Sequence, residues 1–342
     1  MSIISLTIQR AIIGVLFLLS VLVMQEFSIR LALPEFNPSK HLVFAWRVDG
    51  LTLGMPATTQ RQIKNTGDFN VEVRFNRHGL RDSEDVSIAK SKDFLFIGDS
   101  FIFGWGVEEG KRIGEQFGKL TGQQTYNAAV PGDLNTYERL AEYAQQKSKS
   151  KSRAIIGLNM ETDILPYQPK LLNPKAADPK SEPSIHLQEI KGFLTQNSAI
   201  YFLLTQQIHQ TAWLRDIAVS LGLIQPNLQS SAARVPATKA IESTIQRATE
   251  VAARYNATIV LIPSRYIWFG TRRQELSAIH ETIASAIKAN GIDILDLKPI
   301  FETEGHPLDY HFQNDGHWKP IGHAKAAEAL AEHLKARFGD AL

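Results

Sequence analysis

A serine, a histidine and an aspartate suffice for acyl transfer if the fold brings them together. The histidine takes the serine proton and the carboxylate orients the imidazole. One serine in this chain is set for that role, in Gly98-Asp99-Ser100, where the apolar run Phe94-Leu95-Phe96-Ile97 stops abruptly and Gly104 and Gly106 follow. Alone, these residues read equally well as an exposed nucleophile or as a helix cap. The matching base lies near the other end, in Asn314-Asp315-Gly316-His317-Trp318. Asp315 is close enough to orient His317 while the free imidazole nitrogen faces a serine. A surface loop with incidental histidines is the plainer alternative. His311, His317 and His323, with Asp309 and Asp315, raise a metal site as a third reading, but their irregular spacing fits no recognised ligand pattern.

These groups meet only if the elements between them form one sheet. Short apolar runs at 94–97, 125–130, 154–158, 258–262 and 292–296 read as strands buried on both faces. Helical patterns lie between them at 107–120, 134–146, 240–255 and 273–289, and a last helix is expected near 323–337. Strands alternating with helices predict a parallel sheet covered on both sides, an α/β three-layer αβα sandwich of five strands. Ser100 then falls at the carboxyl edge of the first strand, where such folds place reactive groups. The loop holding Asp315 and His317, after the fifth strand, falls on the same edge. The basic run Lys147, Lys149, Lys151 and Arg153 ends the second helix and reads as a solvated cap favoured by the helix dipole.

The remainder of the chain falls into three further parts. Residues 1–30 carry an apolar stretch from Ala11 to Met24, extended backwards by Ile3, Ile4, Leu6 and Ile8. The absence of a small-x-small cleavage site favours an uncleaved membrane anchor over a removed signal or a core helix. Arg10 on the short leading side predicts a cytoplasmic N-terminus and an exported body, a single pass through the inner membrane with the catalytic domain in the periplasm or outside the cell. Residues 31–91 read as an extension packed on the main domain, with a half-buried strand alternating through Val71, Val73 and Phe75. Residues 92–342 form the catalytic domain, interrupted at about 165–238 by an insertion. That insertion opens with Pro166, Pro169, Pro174, Pro179 and Pro183 and continues as apolar helix through 187–223, either a lid over the substrate or a cover for an exposed core face. A balance of 37 basic against 35 acidic residues, without a basic stripe, gives no reason to expect nucleic acid. The chain has no cysteine, which excludes disulfides and thiolate chemistry.

Four blocks, Gly98-Asp99-Ser100, Asn127 with Gly132, Gly157 with Asn159, and Asp315-Gly316-His317, occur in the order found in the SGNH (GDSL) hydrolase superfamily, and between Asp93 and Leu334 the chain resembles that family. The resemblance implies a flavodoxin-like esterase fold in which Ser100 attacks an acyl carbon, His317 takes its proton and Asp315 orients His317. The oxyanion hole would be made by the backbone N–H groups of Ser100 and Gly132 and the side chain of Asn159. The step of two residues from Asp315 to His317, with Trp318 following, is similar to the branch containing alginate O-acetylation proteins. Met160 stands where an aspartate often follows the asparagine; if the strand ran further, Thr162 rather than Asn159 would face the oxyanion. What the resemblance implies is a serine-dependent acyl-ester hydrolase or O-acyltransferase, without cofactor or metal, acting outside the cytoplasm on acetylated glycan or cell-surface polysaccharide. A membrane-associated lipid esterase and a non-catalytic glycan-binding module are the alternatives. Trp105, Trp268 and Trp318 are sugar-stacking candidates, each with core packing as its plainer role.

Overall fold

The computed structural model describes residues 3–167, 185–224 and 234–339. In chain order the elements begin with helix α1 (Ile3–Ala32) and two short antiparallel hairpins, β1 (Phe44–Val48) with β2 (Leu51–Gly54) and β3 (Thr59–Ile63) with β4 (Asn70–Arg74). There follow β5 (Phe94–Gly98), the single-turn helix α2 (Ser100–Phe103), α3 (Ile113–Thr121), β6 (Thr125–Ala129), α4 (Leu134–Ser148) and β7 (Arg153–Asn159). The insertion supplies α5 (Ile185–Asn197), α6 (Ala199–Gln210) and α7 (Ala212–Ser220). The chain then runs through α8 (Thr238–Tyr255), β8 (Thr258–Ile262), α9 (Arg273–Ala289), β9 (Ile294–Asp296), α10 (Leu297–Phe301) and α11 (Pro320–Phe338). Pro169, Pro174, Pro179 and Pro183 of the expected proline-rich loop lie outside the described residues.

Five parallel strands form the central sheet in the order β6-β5-β7-β8-β9; the parallel sheet is what the alternating pattern predicts, and the flavodoxin-like order is what the resemblance implies. Side chains alternate between two cores, as the period of two requires. Leu95, Ile97, Ile156, Leu158, Ile259 and Leu261 pack with α4, α8 and α9 on one face. Phe94, Phe96, Ile155, Val260 and Ile262 pack with α2, α3 and α11 on the other. Residues of the N-terminal hairpins join the same cores, Leu51 and Leu53 on the first face and Val73 and Phe75 on the second. The strand order reverses at β5, between β6 and β7, and open α/β sheets offer a crevice at such a switch point. Ser100 begins the turn that leaves β5 there.

Two glycines let that turn sit close to the sheet. A Cβ on Gly98 would lie 2.5 Å from Ile102, and one on Gly157 in the neighbouring strand 2.4 Å from the same side chain. Ile102, wholly buried, fills the space they leave. The helix expected from residue 107 starts instead at Ile113. Val107 is apolar because it is buried in the core, and a 3-10 turn over Glu109–Lys111 precedes the helix.

Residues 1–41, 63–67 and 175–224 form a second compact unit, built from α1 and the insertion helices. Helix α1 carries a stretch, Ile8–Ala32, with a mean hydropathy of 2.2, long and apolar enough to cross a membrane. Its far end packs on α6: the Glu26 carboxylate accepts the backbone N–H groups of Ala199 at 2.7 Å and Ile200 at 3.0 Å, two of the orphan donors at the start of that helix. Phe36 and Phe202 pack close by, with ring centroids 6.2 Å apart.

Candidate active site

Ser100, His317 and Asp315, 217 residues apart in chain between the first two, meet at the carboxyl edge of the sheet. Asp315, almost wholly buried, accepts a short hydrogen bond from His317 Nδ1 and a second, at 3.2 Å, from the His317 backbone N–H. With Nδ1 donating there, Nε2 is left to accept from the Ser100 hydroxyl, 2.7 Å away. The imidazole is held between rings: Trp105 stacks on it at 5.5 Å and Phe101 lies 5.0 Å away. The histidine side chain retains 22% exposure, so solvent or a ligand reaches this dyad from one side.

The loop that carries Asp315 and His317 is tied at its base. Phe312 N–H donates to the His317 carbonyl at 2.9 Å, Lys319 N–H to the Tyr310 carbonyl at 2.7 Å, and His311 and Trp318 form an antiparallel bridge. The β3–β4 connection braces its outer side: Asp68 accepts the Asn314 N–H at 3.2 Å, and Phe69 packs on Phe312 at 5.3 Å. Gly316 is a close-approach glycine, since a Cβ there would lie 2.2 Å from the Arg265 guanidinium. Arg265 is itself held by Glu161, which accepts its backbone N–H at 2.9 Å and lies 3.5 Å from its Nε. Burial raises the Glu161 carboxyl, opposed by the charge of Arg265.

Around Ser100 a second set of polar groups fixes the turn. Asp99 caps α2 by accepting the Phe101 N–H at 2.9 Å, and its other oxygen accepts the Asn159 side-chain amide at 2.6 Å. Strand β7 ends at Asn159, and Thr162 sits in the turn beyond, its hydroxyl 3.5 Å from the same Asp99 oxygen. Asp163 lies beneath: it accepts the Asn159 backbone N–H at 2.8 Å and the Tyr137 hydroxyl at 3.0 Å, and that hydroxyl also approaches the Gly132 carbonyl at 3.4 Å. Burial raises both Asp99 and Asp163, and the Asp99 charge adds to the rise at Asp163. The Gly132 loop leaves β6 beside the Ser100 turn, where Val130 N–H donates to the Gly98 carbonyl at 3.2 Å.

From the extension, Arg81 reaches under α2. Its guanidinium donates to the carbonyls of Phe103 at 3.0 Å, Gly104 at 2.5 Å and Val107 at 2.6 Å. Burial, with Arg112 nearby, pushes it down to about 9, so it stays charged at neutral pH. Arg81, Asp68, Asp163 and Arg265 had no role in the sequence reading. Each is a single polar residue whose partners lie far off in the chain, and no local pattern marks it.

The other candidates separate from the site. Burial pushes His311 and His323 down to about 3, so both are neutral. Among the described residues no three histidine, aspartate or glutamate side chains are placed to hold a metal. Trp318 is wholly buried, and Trp268 is tied through its indole N–H to Glu302 at 2.8 Å. Trp105 is the tryptophan that flanks the dyad.

Residues 268–342, which include the Asp315–His317 loop, match the family model of the SGNH hydrolase-like domain of the acetyltransferase AlgX. No curated protein matches the chain. Solved structures similar to it include the lipase/acylhydrolase from Enterococcus faecalis, at 7% identity and a TM-score of 0.41 over 72% of this chain and 96% of that one. A carbohydrate esterase family 2 enzyme from Corynascus thermopiles has 12% identity and a TM-score of 0.39 over 73% of this chain and 68% of its own. A GDSL-like lipase from Bacteroides thetaiotaomicron has 11% identity and a TM-score of 0.35 over 74% and 90%.

Proposed function

We propose that the SGNH domain transfers acyl groups through Ser100, as an ester hydrolase or an O-acetyltransferase. The observation that carries this reading is the continuous relay from Asp315 through His317 to the Ser100 hydroxyl. His317 Nε2 takes the hydroxyl proton as Ser100 Oγ bonds to the ester carbonyl carbon. The oxyanion that forms is met by the Ser100 and Gly132 backbone N–H groups and the free N–H of the Asn159 amide. Collapse breaks the bond to the alcohol, which leaves with the proton from His317, and an acyl-serine remains. Water or a sugar hydroxyl then gives its proton to His317 and attacks the acyl carbon, and His317 returns that proton to Ser100 Oγ as the acyl–serine bond breaks. Asp315 stays ionised and holds the imidazole in one tautomer throughout.

The match to an acetyltransferase domain favours a short acyl group and a glycan acceptor or donor. The apolar span of α1 favours a membrane-anchored protein whose SGNH domain works outside the cytoplasm. Chain-length profiling of chromogenic acyl esters tests this reading. Acetyl esters turned over at least about tenfold faster than decanoyl esters support it; the reverse preference would replace it with a lipid esterase.

A further inference from the structure

The second unit presents apolar surface that its own helices leave uncovered. On α7, Trp213 and Ile217 are four residues apart and share one face, and Leu221 is the C-cap just past the helix end. They are 63%, 50% and 66% exposed, and Leu223 just beyond is 61% exposed. Phe193 on α5 and Leu204 on α6 are also more than half exposed. A soluble surface seldom gathers such residues without a partner.

The partner is identified by where these helices are fastened. The apolar run of α1 ends at Met24, and Glu26 is two residues further, a rise of about 3 Å. Glu26 there accepts the N–H groups that open α6 and the Ser198 hydroxyl at 3.1 Å, while Arg30 donates to the Asn197 carbonyl at 2.6 Å. The start of α6 is therefore held within one helical turn of the point where Glu26 interrupts the apolar run of the Ile8–Ala32 stretch. At that level hydrocarbon gives way to headgroups, the zone that amphipathic helices and indole rings prefer.

We infer that α7 is an interfacial helix, its Trp213–Ile217 face inserted into the same bilayer leaflet that α1 leaves. The inference takes α1 as the span and does not depend on the chemistry of Ser100. Helices fastened this way would hold the second unit flat on the membrane, where a lone anchor would let it swing.

The chain has no cysteine, so Ile217→Cys and, for reference, Glu275→Cys each give one attachment point for an environment-sensitive fluorophore. The labelled full chain is reconstituted in phosphatidylethanolamine–phosphatidylglycerol vesicles containing lipid with a nitroxide near the top of the acyl chain. Insertion by ~5–10 Å predicts a blue-shifted label at 217, quenched at least about twofold more than the label at 275. Equal quenching at the two sites overturns the inference. A blue shift at 217 without lipid quenching also overturns it, and assigns the face to a protein partner or second copy. Failure of the full chain to float with vesicles removes its premise and overturns it as well. Quenching of the intrinsic tryptophan emission by brominated lipid guards against a misfolded cysteine variant: it is expected in the wild type and reduced in Trp213→Phe. Unreduced quenching in that variant counts against the inference.

Discussion

Arg81→Met removes a buried cation that holds the three carbonyls of Phe103, Gly104 and Val107, while keeping the apolar length of the side chain. Each carbonyl loses a charge-assisted hydrogen bond of about 1.5–3 kcal/mol, roughly 4.5–9 kcal/mol in total. Against this, the desolvated guanidinium no longer has to be buried. Its fall to about 9 corresponds to a cost of about 5 kcal/mol for the charged form, and the substitution returns that amount. The difference runs from near zero to about 4 kcal/mol of net loss, and its midpoint of about 2 kcal/mol is roughly 4–8 °C in Tm for a domain of this size. Activity is expected to fall further than stability does. The freed carbonyls sit at the end of the turn that Ser100 begins, and a displacement of about 1 Å there costs up to about 100-fold in kcat. Arg81→Lys is expected to recover stability only in part, because one ammonium cannot span three carbonyls. Thermal melts by circular dichroism, run beside acetyl-ester hydrolysis, read both effects. A variant that melts with the wild type and keeps its kcat would refute the bracing role.

Two further outcomes follow from the site and the sheet. Asn159→Ala is expected to lower kcat by about 10²–10³ with KM changed less than about threefold, as loss of one oxyanion donor does; a large loss in Thr162→Val with little in Asn159→Ala would move the donor to Thr162. At the far end of the sheet, burial tends to raise the Asp293 carboxyl, but His333, Thr258 and Arg337 outweigh it and hold the group at about 2. Because the folded value lies below the ordinary carboxylate value of about 4, its stabilisation is full above pH ~4 and lost as pH falls toward ~2. For this half-buried group the contribution is about 1 kcal/mol after solvent screening. Melts of wild type and Asp293→Asn should therefore differ at pH 6 and converge at pH 2; a gap that persists at pH 2 would contradict the assignment.

Much of the fold was legible because its strands are buried on both faces. Runs such as Phe94-Leu95-Phe96-Ile97 and Thr258–Ile262 have no polar face to offer, and only a covered parallel sheet accommodates several of them. Chain topology then carried Ser100 and the Asp315–His317 loop to one edge. What was not legible depends on contacts across long separations. Arg81 sits in a stretch that reads as a polar turn, yet it is wholly buried because carbonyls 22 to 26 residues later close around it. Asp68 reaches Asn314 from 246 residues away, and no periodicity reports such a pair. Asp163 shows a different limit: its carboxyl lies under the site because β7 ends at Asn159 and the next turn folds inward. The helical, apolar stretch read over 187–223 resolves into three helices, with Ser198 and Thr211 at the N-cap positions of the second and third.

The central claim is that Ser100 is a nucleophile activated by His317. A fluorophosphonate probe tests it directly, because Ser100 Oγ must bond to phosphorus, expel fluoride and pass its proton to His317. The wild type is expected to label in a time-dependent manner, His317→Ala to label at least about 100-fold more slowly, and Ser100→Ala not at all. Equal labelling of wild type and Ser100→Ala would contradict the account.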